Sequence, residues 1–217
     1  AERRARDRIE AGIGDAEWDR SRWEYCLGRV SMLRGDLPEA VRHLRRAAAT
    51  PTPFDRPFQP YTVAFLARAL AGVGRADDAR DAHREIDPGL PRFRLFEAEH
   101  ELCEAAILAA DGRLAAAADR AAWAAELAAV RGLWTVVLVA AHDAARYGAA
   151  GLVHRVAADA AVQVDGELPA ARARFVEALH RGDAGRLDEV SSAFEGVGTL
   201  LFAAEVSAQA ARLHRRE

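Results

Sequence analysis

The chain has 217 residues, a formal net charge of −3 and a hydrophobic content of 51%, with only 7% aromatic residues. This composition excludes an intrinsically disordered segment and predicts a soluble, alanine-rich helical chain. The acidic balance argues against a free-standing nucleic-acid binder, which needs a basic excess to neutralise phosphates. No apolar run approaches the roughly 18–20 residues of a membrane span. No signal peptide opens the sequence, so we expect a cytoplasmic protein with no membrane partner.

The basic residues are all arginine, since the 30 basic residues include no lysine. A nucleotide-binding phosphate loop and a Schiff-base enzyme both need a lysine, so both classes are excluded for this chain. The nucleophile motif Gly-x-Ser-x-Gly is also missing, and no Gly-x-Gly-x-x-Gly motif follows a strand. We therefore expect a chain that is not an enzyme in its own right and uses no cofactor.

The N-terminal stretch, residues 2–13, has the pattern of a charged helix. We interpret it as the second helix of an earlier, truncated helix pair. Because the chain opens at Ala1 inside this stretch rather than at a start Met, we interpret the whole as a fragment of a longer protein.

Glycines recur through the rest of the chain at intervals of about 34–39 residues. Each follows one apolar helical run and precedes another, as expected of a glycine that ends a helix in the left-handed conformation. A period of this length is typical of tetratricopeptide-like arrays, in which each repeat is a pair of helices. The turn glycines are Gly35, Gly74, Gly112, Gly148 and Gly182.

The first repeat matches the tetratricopeptide pattern most clearly. It contains, in the expected order, Leu27, Gly28, Ala40, Leu44 and Ala47. The small residues Gly28 and Ala40 should let the two helices of the pair approach closely. Further repeats follow around 66–86, 105–124, 140–160 and 178–194, and a last helix is predicted at about 199–216.

One proline-rich segment interrupts this succession of helical repeats. Residues 50–60 hold four of the eight prolines, a density that no helix tolerates. Phe54 and Phe58 favour an ordered loop packed on the helices over a flexible linker. The sequence thus predicts one all-α domain across residues 1–217, an α-solenoid of tandem tetratricopeptide-like helix pairs with about eleven to thirteen helices.

The cysteine and histidine side chains are the candidates for reactive or metal-binding groups. Cys26 and Cys103 fall in different repeats, too far apart for a disulfide, so we expect two unpaired, buried thiols. Two Glu-x-x-His pairs, Glu97/His100 and Glu177/His180, resemble half of a di-iron site. They lie in different repeats, so the sequence favours solvated helix faces and no metal site.

Candidate binding residues come from the first helix of each pair, which lines the concave groove in tetratricopeptide arrays. Arginine and tyrosine at matching offsets would form one continuous face that receives an anionic or aromatic-bearing ligand. Ordinary surface arginines are the alternative, because the chain is rich in arginine throughout. The predicted groove residues are Tyr25, Arg29, Tyr61, Arg68, His142 and Arg146.

The C-terminal half resembles the large LuxR-type transcription regulators of GC-rich bacteria, a family similar to the maltose-type regulators. The resemblance covers roughly residues 100–217. It lies in the segments 132–135, 141–148, 178–183, 194–198, 200–205 and 211–216. In that family a nucleotide-binding switch module comes first, a tetratricopeptide-like sensor superhelix follows, and a DNA-binding helix-turn-helix comes last.

The resemblance implies that this chain is the sensor superhelix alone. A small-molecule inducer or a regulatory protein would bind in its groove, and nucleotide and DNA binding would belong to flanking modules of the parent protein. This fragment itself would not bind nucleic acid directly. The alternative is a free-standing tetratricopeptide-like scaffold that holds a partner protein.

Overall fold

The computed structural model describes residues 17–49, 58–86 and 93–216, together with residues 3 and 7. Every regular element in these ranges is helical, which confirms the all-α class for the described part of the chain. The chain divides into two compact units, Ala1–Asp111 and Gly112–Glu217. The helix predicted at 2–13 lies outside the described residues.

The first unit is a succession of helices in which each described helix packs against the next. In addition, α3 packs directly against α5, and α1 contacts α3, so the odd-numbered helices lie side by side. A short 3-10 turn, Arg94–Phe96, leads into α5. The helices are α1 (Glu17–Arg34), α2 (Leu37–Ala49), α3 (Gln59–Gly72), α4 (Ala76–Arg84) and α5 (Glu97–Ala110).

The hairpin of α1 and α2 shows why the repeat needs small residues. Gly35 ends α1 with a φ of +77°, which only glycine adopts without strain. Gly28 lies directly against Leu44, and a Cβ built at Gly28 would come within 2.5 Å of the Leu44 Cγ. The predicted close approach of the two helices at Gly28 is therefore confirmed.

The proline-rich segment meets the fold at the start of α3. Residues 50–57 lie outside the described residues, so the packing of Phe54 stays a prediction. The helix already begins at Gln59, with Pro60 in its first turn, where the missing N–H costs little. The predicted loop therefore ends earlier than residue 60. Phe58, just before the helix, is 43% exposed and stacks on Phe93 with ring centroids 5.5 Å apart.

The second unit continues the same succession of packed neighbours, with α7 also packing against α9. A kinked turn, Ala145–Ala149, separates α7 from α8, and Gly148 within it has a φ of +112°. The helices are α6 (Leu114–Val130), α7 (Trp134–Ala144), α8 (Ala150–Ala161), α9 (Glu167–Arg181), α10 (Ala184–Gly196) and α11 (Leu200–His214).

One stretch of the second unit, Trp134–Ala161, is long and apolar enough by composition to cross a membrane. Gly148 breaks it into two helices, and half of it is buried inside the fold. The stretch is therefore better described as two core helices of a folded domain.

The turn glycines and cysteines test the remaining local predictions. All five predicted turn glycines have a positive φ, as the helix-ending conformation requires. Both cysteines are free thiols, as predicted. Cys103 is buried, and burial raises the pKa of its thiol to about 12. Cys26 is exposed on α1, so the prediction that both thiols are buried is wrong for Cys26.

Candidate functional site

The predicted groove residues divide between the two units. Four of them belong to the first unit and two to the second. They form separate clusters within each unit, with some side chains half-exposed and others in the core. The first unit contains Tyr25, Arg29, Tyr61 and Arg68, and the second contains His142 and Arg146.

A buried glutamate brings the two arginines of the first unit together. Glu99, on α5, is only 8% exposed, and it receives one arginine from each of the other two odd-numbered helices. The Arg29 NH2 atom of α1 lies 3.4 Å from Oε1, and the Arg68 NH1 atom of α3 lies 3.7 Å from Oε2. A charged carboxylate at such a position needs cationic partners, because burial without them would be costly.

Two aromatic side chains contact Arg29, the more exposed of the two arginines. The Arg29 guanidinium lies 4.0 Å from the ring centroid of Phe65 and donates a 3.0 Å hydrogen bond to the Tyr25 hydroxyl. Tyr25 also meets Phe65 edge-on, with centroids 5.9 Å apart, and burial raises the pKa of its phenol. Arg29 is thus held by a carboxylate, a hydroxyl and a ring while about a third of it stays exposed (32%). The Glu99 cluster consists of Tyr25, Arg29, Phe65, Arg68 and Glu99.

Tyr61 is a core residue rather than a groove residue, which corrects the sequence prediction. It is only 2% exposed and packs against Phe96 and His100, with centroids 4.1 and 5.4 Å away. Its hydroxyl accepts a hydrogen bond from the Phe93 backbone N–H, and it lies 3.5 Å from the Phe93 carbonyl oxygen. The side chain ties α3 to the turn before α5.

His142 is also a core residue, so the groove prediction is wrong for it too. It is 2% exposed and surrounded by the rings of Phe175, Phe194 and Phe202. The centroids lie 4.6, 5.7 and 5.1 Å from the imidazole centroid. This aromatic packing joins α7 to α9, α10 and α11.

Arg146 occupies the surface of the second unit just after α7. Its NH2 atom donates a 2.6 Å hydrogen bond to Glu205 of α11, and its NH1 atom lies 3.6 Å from Asp143. The guanidinium is 5.3 Å from the ring centroid of Tyr147. Burial raises the pKa of Glu205 against the opposing effect of Arg146. The Glu205 cluster consists of Asp143, Arg146, Tyr147 and Glu205.

The glutamate partners are the site residues that sequence reasoning missed. Glu99 is 70 residues from Arg29, and Glu205 is 59 residues from Arg146. Both glutamates lie on odd-numbered helices. Arg29 also lies on an odd-numbered helix, and Arg146 directly follows one. A search of the odd-numbered helices for acidic residues would therefore have found both glutamates. The remaining signal, burial, is not visible in the sequence.

The Glu-x-x-His pairs do not assemble into a metal centre in the described ranges. No group of three or more His, Cys, Asp or Glu side chains is placed to hold a metal ion among the residues that the structure describes. Glu177 instead pairs with Arg181 at 2.5 Å, and His180 stacks on His154 with centroids 3.7 Å apart.

Comparison with known proteins gives no relative: no family model, no curated protein and no solved structure matches this chain.

Proposed function

We propose that this chain is the non-catalytic sensor superhelix of a LuxR-type transcription regulator, built as a tetratricopeptide-like solenoid. The support is the run of helix pairs ended by positive-φ glycines, together with the sequence resemblance of residues 100–217. Its place in the cell is the cytoplasm. Nucleotide and DNA binding belong to flanking modules of the parent protein.

The single observation that carries a binding role is the Glu99 cluster. A buried carboxylate pairs with two arginines, and one of them, Arg29, also lies beside two aromatic rings. Guanidinium groups that are oriented in advance lose little entropy when they bind a carboxylate or phosphate. The cluster is therefore suited to hold an anionic ligand, an inducer or an acidic segment of a regulatory protein.

The described cysteines offer little to a catalytic mechanism. The thiolate is the nucleophilic form of cysteine, and burial raises the pKa of both thiols. This supports a role in binding rather than in covalent catalysis.

A thermal-shift screen tests the proposal. The chain is heated with sugars, sugar phosphates, organic acids and short acidic peptides, each at several concentrations. A ligand that binds the folded state raises the melting temperature in proportion to the logarithm of its concentration. We expect at least one anionic compound to do so, and we expect Arg29→Ala to reduce the shift.

Arg84→Ala is the matched control. Arg84 is 75% exposed and pairs with Asp81 on the same helix, α4, so its loss should leave any ligand-induced shift intact. A ligand whose shift is undiminished in Arg29→Ala binds elsewhere, and that result would contradict the proposed site. A panel that gives no concentration-dependent shift would contradict the sensor function for these ligand classes.

A free-standing scaffold is the second candidate, and one surface favours it. Phe58, Phe93 and Leu95 are 43, 40 and 55% exposed, and the two phenylalanine rings stack. Exposed apolar side chains that lie together are typical of protein contact surfaces. Replacing Phe58 and Leu95 by Ser would weaken a scaffold contact but leave an anionic ligand of the Glu99 cluster unaffected.

A further inference from the structure

The two units repeat one arrangement of side chains. In each, an arginine on or just after the unit's earliest odd-numbered helix reaches a glutamate on its last odd-numbered helix. Arg29 pairs with Glu99 at 3.4 Å in the first unit, and Arg146 pairs with Glu205 at 2.6 Å in the second. Each arginine also follows a ring-bearing residue by four positions, Tyr25 in one case and His142 in the other.

Both arginines keep donor groups that their described contacts do not use. Arg29 gives NH1 to Tyr25 and NH2 to Glu99, and Arg146 gives NH2 to Glu205 and NH1 to Asp143. A guanidinium carries further N–H groups beyond these two. The Arg29 and Arg146 side chains remain 32% and 27% exposed.

Each arginine also lies near an aromatic ring, which another helix supplies in the first unit and the next residue in the chain supplies in the second. The Arg29 guanidinium is 4.0 Å from the Phe65 centroid, and that of Arg146 is 5.3 Å from the Tyr147 centroid. A ring beside a braced guanidinium favours a ligand with an apolar body next to its acidic group. Each guanidinium already pairs with a glutamate side chain, so its surroundings are compatible with a bound carboxylate.

We propose that the chain has two separate carboxylate sites, one in each unit, anchored by Arg29 and by Arg146. The inference rests on the proposed function, which supplies the class of ligand, an anion. In place of the single continuous groove predicted from the sequence, it assigns two sites of the same chemistry. The first site is the tighter, because Arg68 adds a second positive charge around Glu99. At the second site Asp143, 3.6 Å from Arg146, competes with an incoming carboxylate.

NMR of the arginine side chains tests this on the full chain. The Nε–Hε signals of 15N-labelled protein are followed while sodium benzoate is added, with sodium chloride at equal ionic strength as the reference. Arg29→Lys and Arg146→Lys identify the two signals, and their unchanged melting temperatures show that both variants fold. Phenyl phosphate is titrated in parallel to compare a phosphate with a carboxylate.

We expect both signals to move along saturating curves with benzoate and to stay near the reference with chloride. The Arg29 curve should saturate at the lower concentration. In Arg29→Lys the Arg146 curve should keep its midpoint within about twofold, since separate sites add independently.

Two outcomes overturn the inference. If neither signal departs from the chloride reference, the chain has no such sites. If only Arg29 responds, there is one site, and the proposed sensor function survives while the second site fails. If both respond but no compound in the thermal-shift screen depends on Arg29, the two sites stand and the proposed sensor function fails.

Discussion

Replacing Gly28 by Ala tests the closest helix contact in the first unit. The new Cβ would lie 2.5 Å from the Cγ and 2.8 Å from the Cδ2 of Leu44. Real Cβ atoms do not approach other carbons this closely, so Leu44 or the backbone of α2 must move. Leu44 is fully buried (0% exposed), so it has no open space to move into.

Two opposing effects decide how much Gly28→Ala changes the free energy of unfolding. Overpacking a filled core costs about 1–3 kcal/mol. Alanine in a helix interior gains about 1 kcal/mol over glycine. The packing cost is the larger here, because both close atoms belong to a buried side chain. We expect the free energy of unfolding to fall by up to about 2 kcal/mol, which lowers the melting temperature by up to roughly 8 °C.

Urea denaturation followed by circular dichroism measures the change, with Gly196→Ala as the control. Gly196 ends α10, and a Cβ there meets no atom within 4 Å, so this variant should be neutral or slightly stabilising. The double variant Gly28→Ala with Leu44→Ala should be less unstable than the sum of the two single changes. Gly28→Ala matching or exceeding the stability of the original chain would refute the close-packing argument.

Three further outcomes follow from the structure. Burial raises the pKa of Glu205, so the protein loses stability as pH rises from the ordinary pKa of a glutamate through the raised pKa of the folded state. Glu205→Gln should therefore be at least as stable as the original at pH 7, with the difference vanishing below about pH 4; a loss of stability confined to pH 7 would contradict this. Native protein should react with a thiol reagent at Cys26 alone, and Cys103 only after unfolding; two fast thiols would refute its burial. A gel shift at moderate salt should show no sequence-selective binding of duplex DNA.

The helices and their ends were predictable because their signals are local. A glycine that must take a positive φ is visible at Gly35 or Gly182 without knowing what surrounds it. The same holds for Gly28, because the residues of the partner helix that it faces, Ala40 and Leu44, lie only 12 and 16 positions later in the chain. Local conformation and the helix-pair period therefore carry most of the fold.

The candidate site was only partly predictable because it depends on distant residues and on rotation about the helix axis. A shift of one residue turns a side chain by about 100° around a helix. Tyr61 and His142 fell on the buried side, where rings such as Phe96 and Phe175 enclose them. The glutamates that position Arg29 and Arg146 come from distant helices, so only the three-dimensional structure pairs them.

The reading frame that encodes this segment tests the central claim most directly. If the chain is the sensor superhelix of a LuxR-type regulator, sequencing the gene on both sides will show a nucleotide-binding switch module before Ala1. It will show a helix-turn-helix after Glu217. A frame that flanks the segment with neither module would contradict the sensor proposal and favour the free-standing scaffold.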